Sequence, residues 1–486
     1  MAIHRNLLIG GKDVPAASGR TAEDVNPYTG EVYATVAAAE AEDVTRAVDA
    51  AHAAFPQWAA TSPFERRRIF LAAADLLDSR IEQAVELMAA EVGGTRGWAV
   101  FNARLATDVL REAAAAVTAS RGDVLNSQQD GVLGFAIREP LGVVAAFSPW
   151  NAPMILGTRS VAAPLAVGNT VVMKPSEDAP LACGLFIAEA LVDAGLPPGV
   201  LNVVTNARED AADVAEALIA DERVRAVNFT GSTGIGRIIG THAARHLKPA
   251  VLELGGKNSV IVLEDADVDY AVDAAAFSVF MNSGQICMSA DRVQVHAAVA
   301  EEFTAKFVAK VASLAAGDPT DPATVVGPLV SASSAQRVAA MVRDAVAKGA
   351  RVLTGGAEPR GAVHPATVLT DVPTRAEIFY GEAFGPVCVV STFASDDEAV
   401  SLANDTTYGL TCGILTENGT HGLAVARRIH TGIVHINDQT VADEPHAPFG
   451  GVKATGYGRF GGRWGIEAFS STRWVTLATQ HAHYPF

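Results

Sequence analysis

Apolar and polar positions along this chain follow several periods in turn. Residues 1–36 carry short alternating runs broken by turn signals, the strongest being Asn26-Pro-Tyr-Thr-Gly30, and predict short strands. From 40 to 119 the apolar residues recur at helical spacing, which predicts helices over 40–59, 63–92 and about 97–119. Ser62-Pro63-Phe64-Glu65 starts the second with an N-cap serine, a proline at the first helical position and a capping-box glutamate. Strands are predicted over 132–138 and 143–147. Strand and helix then alternate: helices over 153–166, 180–194, 210–220 and 234–246 separate strands at 170–173, 201–204, 226–229 and 250–254. Units this short imply a parallel sheet with helices on both faces, so the fold class is α/β. A second αβ series from about 258 to 437 offers strands at 259–263, 293–296, 387–393, 413–415 and 432–436. Residues 432–462 are rich in Gly and Pro and predict a long ordered loop at a site. The run 473–477 reads as a lone strand, which must pair either with the 132–140 segment or with another subunit.

Composition narrows the function classes. A chain of 486 residues that is 49% hydrophobic has enough apolar surface for two or three domains. A formal charge of −17 argues against nucleic acid or an anionic membrane as partner. Cys183, Cys287, Cys388 and Cys412 form no C-x-x-C, and no His pair lies at zinc-finger spacing. That usage fits a reducing cytoplasm and predicts neither a disulfide framework nor a bound metal. The apolar run in the first ten residues is too short for a signal peptide. No segment approaches the roughly 20 apolar residues that span a bilayer, so a soluble cytoplasmic protein is expected.

Candidate chemistry lies at the ends of predicted strands. Cys287 sits in Gln285-Ile286-Cys287-Met288, with small and polar residues on either side, where a thiol is either a nucleophile or an inert core residue. Glu253 ends an apolar strand before Gly255 and Gly256, as a general base or as a salt-bridged structural carboxylate. Asn151 follows a strand in Pro149-Trp150-Asn151 and either caps the next helix or donates to an oxyanion. Lys174 and Glu177 lie just past the end of a strand, where ligands of parallel sheets bind, and could hydrogen-bond ribose hydroxyls. Gly231-Ser232-Thr-Gly-Ile-Gly236 joins a strand to a helix in a turn suited to pyrophosphate, although its spacing is not the usual dinucleotide fingerprint. Glu382-Ala-Phe384-Gly-Pro386 offers a carboxylate for a ribose and a ring for a flat nucleus.

These motifs, together with Pro448-Phe-Gly-Gly451, occur in the order of the NAD(P)-dependent aldehyde dehydrogenase superfamily, which the chain resembles over its whole length. Gly284-Gln-Ile-Cys-Met-Ser289, His435-Ile-Asn437, Gly456-Tyr-Gly-Arg-Phe-Gly461 and Tyr484-Pro-Phe486 are similar to the salicylaldehyde, benzaldehyde and vanillin dehydrogenases of that family. Phe460 stands where many members carry a glutamate, as in the aromatic group.

The resemblance implies a Rossmann-type NAD-binding domain (1–120 and 141–252), a catalytic domain (253–450) and a small β oligomerisation arm (121–140 and 466–486). It implies Cys287 as nucleophile, Asn151 as oxyanion donor and Glu253 as the base that hydrolyses a thioester. Pro149, Trp150, Lys174, Ser176, Glu177, Gly231, Ser232, Gly236, Leu254, Gly255, Glu382 and Phe384 are expected at the cofactor, NAD in preference to NADP. Arg159, Trp98, Ile286 and Met288 are expected at an aromatic aldehyde, with Ala152 and Gly157 small enough to leave room for its ring; a salt bridge at the domain junction for Arg159 and a place in the core for Trp98 are the other readings. Two other functions stay open: a broad-specificity or coenzyme-A-acylating aldehyde dehydrogenase, and a nucleotide-binding scaffold without turnover. A homodimer or homotetramer is expected, with the tail strand extending the neighbour's sheet.

Overall fold

Five apolar runs, Val143–Ser148, Thr170–Pro175, Leu201–Val203, Val224–Thr230 and Ala250–Glu253, are covered on both faces. That cover explains why they read as continuous rather than alternating. The computed structural model describes residues 3–119 and 122–486; residues 1 and 2 and the domain boundary placed between 120 and 121 fall outside it. These runs form the parallel centre of an eight-stranded α/β sheet. Leu7–Ile9, Lys12–Val14 and Gly456–Tyr457 add antiparallel edges. Along the chain the strands spread from Val143–Ser148 first to one side and then to the other. The crevice between Val143–Ser148 and Val224–Thr230 is therefore the switch point where open parallel sheets hold ligands at their carboxyl ends.

The second series builds a seven-stranded sheet with Asn258–Val262 and Ala290–His296 near its centre. Glu253 closes a strand of the first sheet and Asn258 opens one of the second. Cys287 lies just before Ala290, where another begins. The carboxyl edge of the first sheet thus meets the amino edge of the second, and the candidate residues gather at that seam.

The tail strand, Ser470–Ala478, pairs antiparallel with Val132–Pro140, the first of its two expected partners. With Gly122–Leu125 it makes a three-stranded sheet in which the tail strand is an edge. Trp474, Leu477, Val124 and Leu133 are exposed on it. An apolar sheet with a free edge is the kind of surface a second copy covers.

Some local expectations differ from the structure. The helix expected over 63–92 breaks at Arg80 (φ −108°, ψ 16°) into Pro63–Ser79 and Ile81–Val92. Ser62 accepts from the Phe64 N–H, but Glu65 turns outward to Arg68 (2.6 Å) instead of completing the box. Gly456–Tyr457, expected as loop, pairs with Leu252 and Glu253 and brings the 432–462 segment back beside Glu253. Among the described residues, no helix is long and apolar enough to cross a membrane.

Candidate active site

The chain reaches Cys287 through three left-handed residues, Asn282 (φ 49°), Ser283 (φ 56°) and Gly284 (φ 72°). Gly284 is required here, because a Cβ would lie 2.1 Å from the Gly385 carbonyl. The two non-glycine residues cost of order 1–3 kcal/mol each and persist only where their surroundings dictate the shape. Asn282 Nδ2 donates to the Asn151 carbonyl (3.0 Å), and Ser283 Oγ donates to the Gly327 carbonyl (2.9 Å). Gln285 Oε1 accepts from the Val330 N–H (2.9 Å). The tight turn sends Ile286 and Met288 into the core, where both are buried. Cys287 alone between Asn282 and Ser289 keeps some exposure. Asn258, which no sequence motif had singled out, donates from Nδ2 to the carbonyls of Cys287 (2.8 Å) and Ser289 (2.9 Å).

Cys287 opens into a cavity of about 320 Å³ that also reaches Asn151 and Glu253. Asn151 does not cap the following helix, whose N-cap is Ala152. Its side-chain amide donates instead to the Gln285 carbonyl (3.0 Å), two residues before Cys287. Glu253 is buried with no hydrogen bond to either carboxylate oxygen, so it is not the ion-paired structural carboxylate that was the other reading. Burial pushes its carboxyl well above the usual range, against the pull of the Arg459 and Arg159 charges. Burial likewise pushes the Cys287 thiol up to about 12; Glu253, Glu382 and Asp443 add to the rise and Arg159 opposes it. Thiol and carboxyl share one narrow cavity, and moving a proton from Cys287 to Glu253 keeps a single negative charge there.

The same cavity takes in Pro149, Trp150, Gly231, Ser232, Leu254 and Gly255, and beyond them Glu382 and Phe384. Thr230, Leu156, Arg337 and Phe449 also line it and were not expected. Trp150 and Phe384 meet edge to face with centroids 5.6 Å apart. Glu382 accepts from the Gly256 N–H (2.9 Å), and burial raises its carboxyl to about 7. Gly236 lines no part of the cavity; a Cβ there would lie 2.3 Å from Leu254, so its bareness lets the helix Thr233–Arg245 pack closely.

Lys174, Ser176 and Glu177 stand apart from this cavity. Lys174 pairs with Glu177, and Asn206 joins both, accepting from Lys174 (3.1 Å) and donating to Glu177 (3.0 Å). Burial raises the Glu177 carboxyl, but the Lys174 ammonium and its hydrogen bond outweigh that and hold it low. Ser176 accepts from the Asp178 N–H (3.3 Å). The switch-point crevice, the paired aromatic rings and this prebuilt Lys–Glu–Asn group together fit a dinucleotide.

None of the four expected substrate residues lines the cavity. Trp98 is core, with its indole N–H on the Asn151 carbonyl (3.1 Å). Ile286 and Met288 are core for the reason given above. Arg159 is buried and ion-paired with Asp443, its guanidinium 4.4 Å from the centroid of the Phe449 ring. Gly157 makes room for backbone rather than for a ring, since a Cβ would lie 2.2 Å from the Cys183 carbonyl. Asp443 sits in the loop after the strand Ile433–Ile436, and only the tertiary structure brings it to Arg159.

A thiol, an amide donor and an unpaired carboxylate line one cavity at the switch-point crevice. Residues 14–475 match the aldehyde dehydrogenase family. A vanillin dehydrogenase of Pseudomonas fluorescens is 50% identical, with 99% of each chain covered. The crystal structure of a salicylaldehyde dehydrogenase from Pseudomonas putida G7 complexed with salicylaldehyde superposes with a TM-score of 0.97 at 40% identity, covering 100% of both chains. A betaine aldehyde dehydrogenase of Staphylococcus aureus in complex with NAD+ has a TM-score of 0.95 at 30% identity, covering 99% of this chain and 95% of that one. The chain belongs to the aldehyde dehydrogenase family and is an oxidoreductase.

Proposed function

We propose that this enzyme oxidises an aromatic aldehyde of the vanillin, salicylaldehyde or benzaldehyde type to the carboxylic acid, with NAD as oxidant. The observation that carries the chemistry is the cavity holding Cys287, Asn151 and Glu253 together beside Trp150 and Phe384. The Cys287 thiolate adds to the aldehyde carbon. The Asn151 amide and the Cys287 backbone N–H take the oxyanion. The nicotinamide, when bound, supplies the hydride acceptor. The thioester left on Cys287 is hydrolysed by a water whose proton passes to Glu253. Segments 1–120 and 141–252 hold the cofactor, 253–450 the chemistry, and 121–140 with 466–486 the assembly of a homodimer or homotetramer. The likeness to the vanillin and salicylaldehyde enzymes supports the aromatic substrate.

A kinetic panel tests this reading. Benzaldehyde, salicylaldehyde and vanillin should each yield NADH without coenzyme A, at higher kcat/KM than short aliphatic aldehydes. A strict need for coenzyme A, or no NADH with any aldehyde, would overturn it. The low-held Glu177 carboxylate should repel a 2′-phosphate, with Lys174 softening the effect. NAD should exceed NADP by about tenfold in kcat/KM, a modest Coulomb difference; equal efficiencies would remove Glu177 from cofactor choice.

The Arg159–Asp443 pair changes what removing Arg159 does. Arg159→Ala leaves a buried carboxylate unpaired, so a stability loss of about 3–5 kcal/mol is expected, with slower turnover of every aldehyde. Removing Asp443 as well should restore most of the stability. Any loss then confined to hydroxylated benzaldehydes reports contact between Arg159 and the ring. A single variant with unchanged melting temperature would show that the pair contributes little.

A further inference from the structure

Two asparagines grip the chain on either side of the nucleophile, and one of them has no part in the chemistry proposed above. Upstream, Asn151 Nδ2 holds the Gln285 carbonyl at 3.0 Å. Downstream, Asn258 Nδ2 holds the Cys287 carbonyl at 2.8 Å and the Ser289 carbonyl at 2.9 Å. Asn258 is itself fixed: it is buried, it opens a central strand of the second sheet, and its Oδ1 accepts from the Thr411 N–H of the adjacent strand (3.1 Å). The approach is close on the other side as well. A Cβ on Gly256 would lie 2.7 Å from the Cys287 carbonyl and from both ends of the Asn258 amide. The carbonyl after the nucleophile therefore has no room to turn.

The geometry points to Asn258 as a positioning residue for Cys287: by fixing the Cys287 carbonyl it sets the direction of the thiol and of the Cys287 N–H. This rests on Cys287 being the nucleophile. A peptide carbonyl is the negative end of a dipole, and one turned toward a sulfur opposes its ionisation. One hydrogen bond from a rigid amide holds this carbonyl away and partly neutralises it, while the second fixes the Ser289 carbonyl beside it. The strained turn before Cys287 makes such a second anchor necessary, because three left-handed residues in a row leave the loop other ways to relax.

The test compares Asn258→Ala, which removes both donors, with Asn258→Ser, which keeps one hydroxyl. Neither adds charge, so the groups acting electrostatically on Cys287 (Glu253, Glu382, Asp443 and Arg159) stay as they are. Three readouts are taken: kcat with benzaldehyde, NAD affinity by tryptophan fluorescence, and the pH dependence of Cys287 alkylation by iodoacetamide, located by peptide mass. In Asn258→Ala, kcat should fall by about tenfold or more, as for a lost buried hydrogen bond. The alkylation midpoint should move to higher pH, and NAD affinity should change by less than about twofold. Asn258→Ser should recover part of the rate and of the midpoint shift. Wild-type rate and alkylation in Asn258→Ala would overturn the proposal. So would a parallel loss of rate, NAD affinity and melting temperature in both variants, or failure of both to fold, which would make Asn258 a residue of the fold alone. Alkylation does not depend on turnover, so these outcomes differ from failure of the proposed reaction, in which the wild-type enzyme yields no NADH.

Discussion

Cys287→Ala abolishes aldehyde oxidation and leaves the cofactor site intact. The expected fall in kcat is at least about ten-thousand-fold, the scale seen when a covalent nucleophile is removed. No other cysteine can substitute, because Cys183, Cys388 and Cys412 are all buried. The fold should survive, since the turn is held by Asn282, Ser283, Gln285 and Asn258 and none of these bonds uses the sulfur. NAD binding, followed by quenching of Trp150 beside the cavity, should be unchanged. Oxidation at a tenth of the wild-type rate or more would end the covalent mechanism. Loss of NAD binding together with activity would mean that the variant reports on the fold instead.

Glu253→Gln separates the two halves of the reaction and should also stabilise the protein. Without the base, hydrolysis of the thioester slows by about 100- to 10,000-fold. One equivalent of NADH per active site should appear in a burst, and acylated Cys287 should be visible by mass. The stability effect follows from the direction of the Glu253 shift. A carboxyl raised by burial holds its proton more tightly folded than unfolded. Its contribution to stability is complete below the unfolded value of about 4.3 and is lost as pH rises through the folded value. Above the unfolded value the unfolded chain gives up this proton more readily than the folded one, so the wild type loses stability with rising pH that the neutral glutamine keeps. The melting temperature of Glu253→Gln should exceed that of the wild type, by a margin that widens with pH until Glu253 is fully ionised. In the wild type, deacylation should accelerate across the same range as the base loses its proton. A normal steady-state rate without an acyl-enzyme would remove Glu253 from its role; a lower melting temperature would contradict the electrostatic reading.

Much of this could be read from the chain before any coordinates. Strands such as Val143–Ser148 and Val387–Phe393 are long apolar runs between helical segments, and their length and branching identify them wherever they pack. Cys287, Glu253 and Asn151 were each placed at a strand end, because a thiol, a carboxylate and an amide are conspicuous between apolar runs and glycines. Short or partly exposed strands were lost, as at Thr367–Thr370 and Gly456–Tyr457, because so few residues carry no period.

Partnership is what only the tertiary structure decided. Asn258 looks like any strand-opening residue until the fold brings the Cys287 carbonyl to within 2.8 Å of it. Arg159 reads as a donor to a ring or as one half of a salt bridge, and only the fold supplies its partner, Asp443, 284 residues further along the chain. Ile286 and Met288 flank Cys287 in sequence and are expected at the substrate. A turn of left-handed residues directs them into the core and Cys287 into the cavity. The tail strand could pair within the chain or beyond it; within the chain it takes a nine-residue register with Val132–Pro140 and keeps its other edge free. Periodicity records which side of an element is apolar. It does not record which distant group a buried charge or amide will meet, as Arg159 meets Asp443 and Asn258 meets the Cys287 carbonyl.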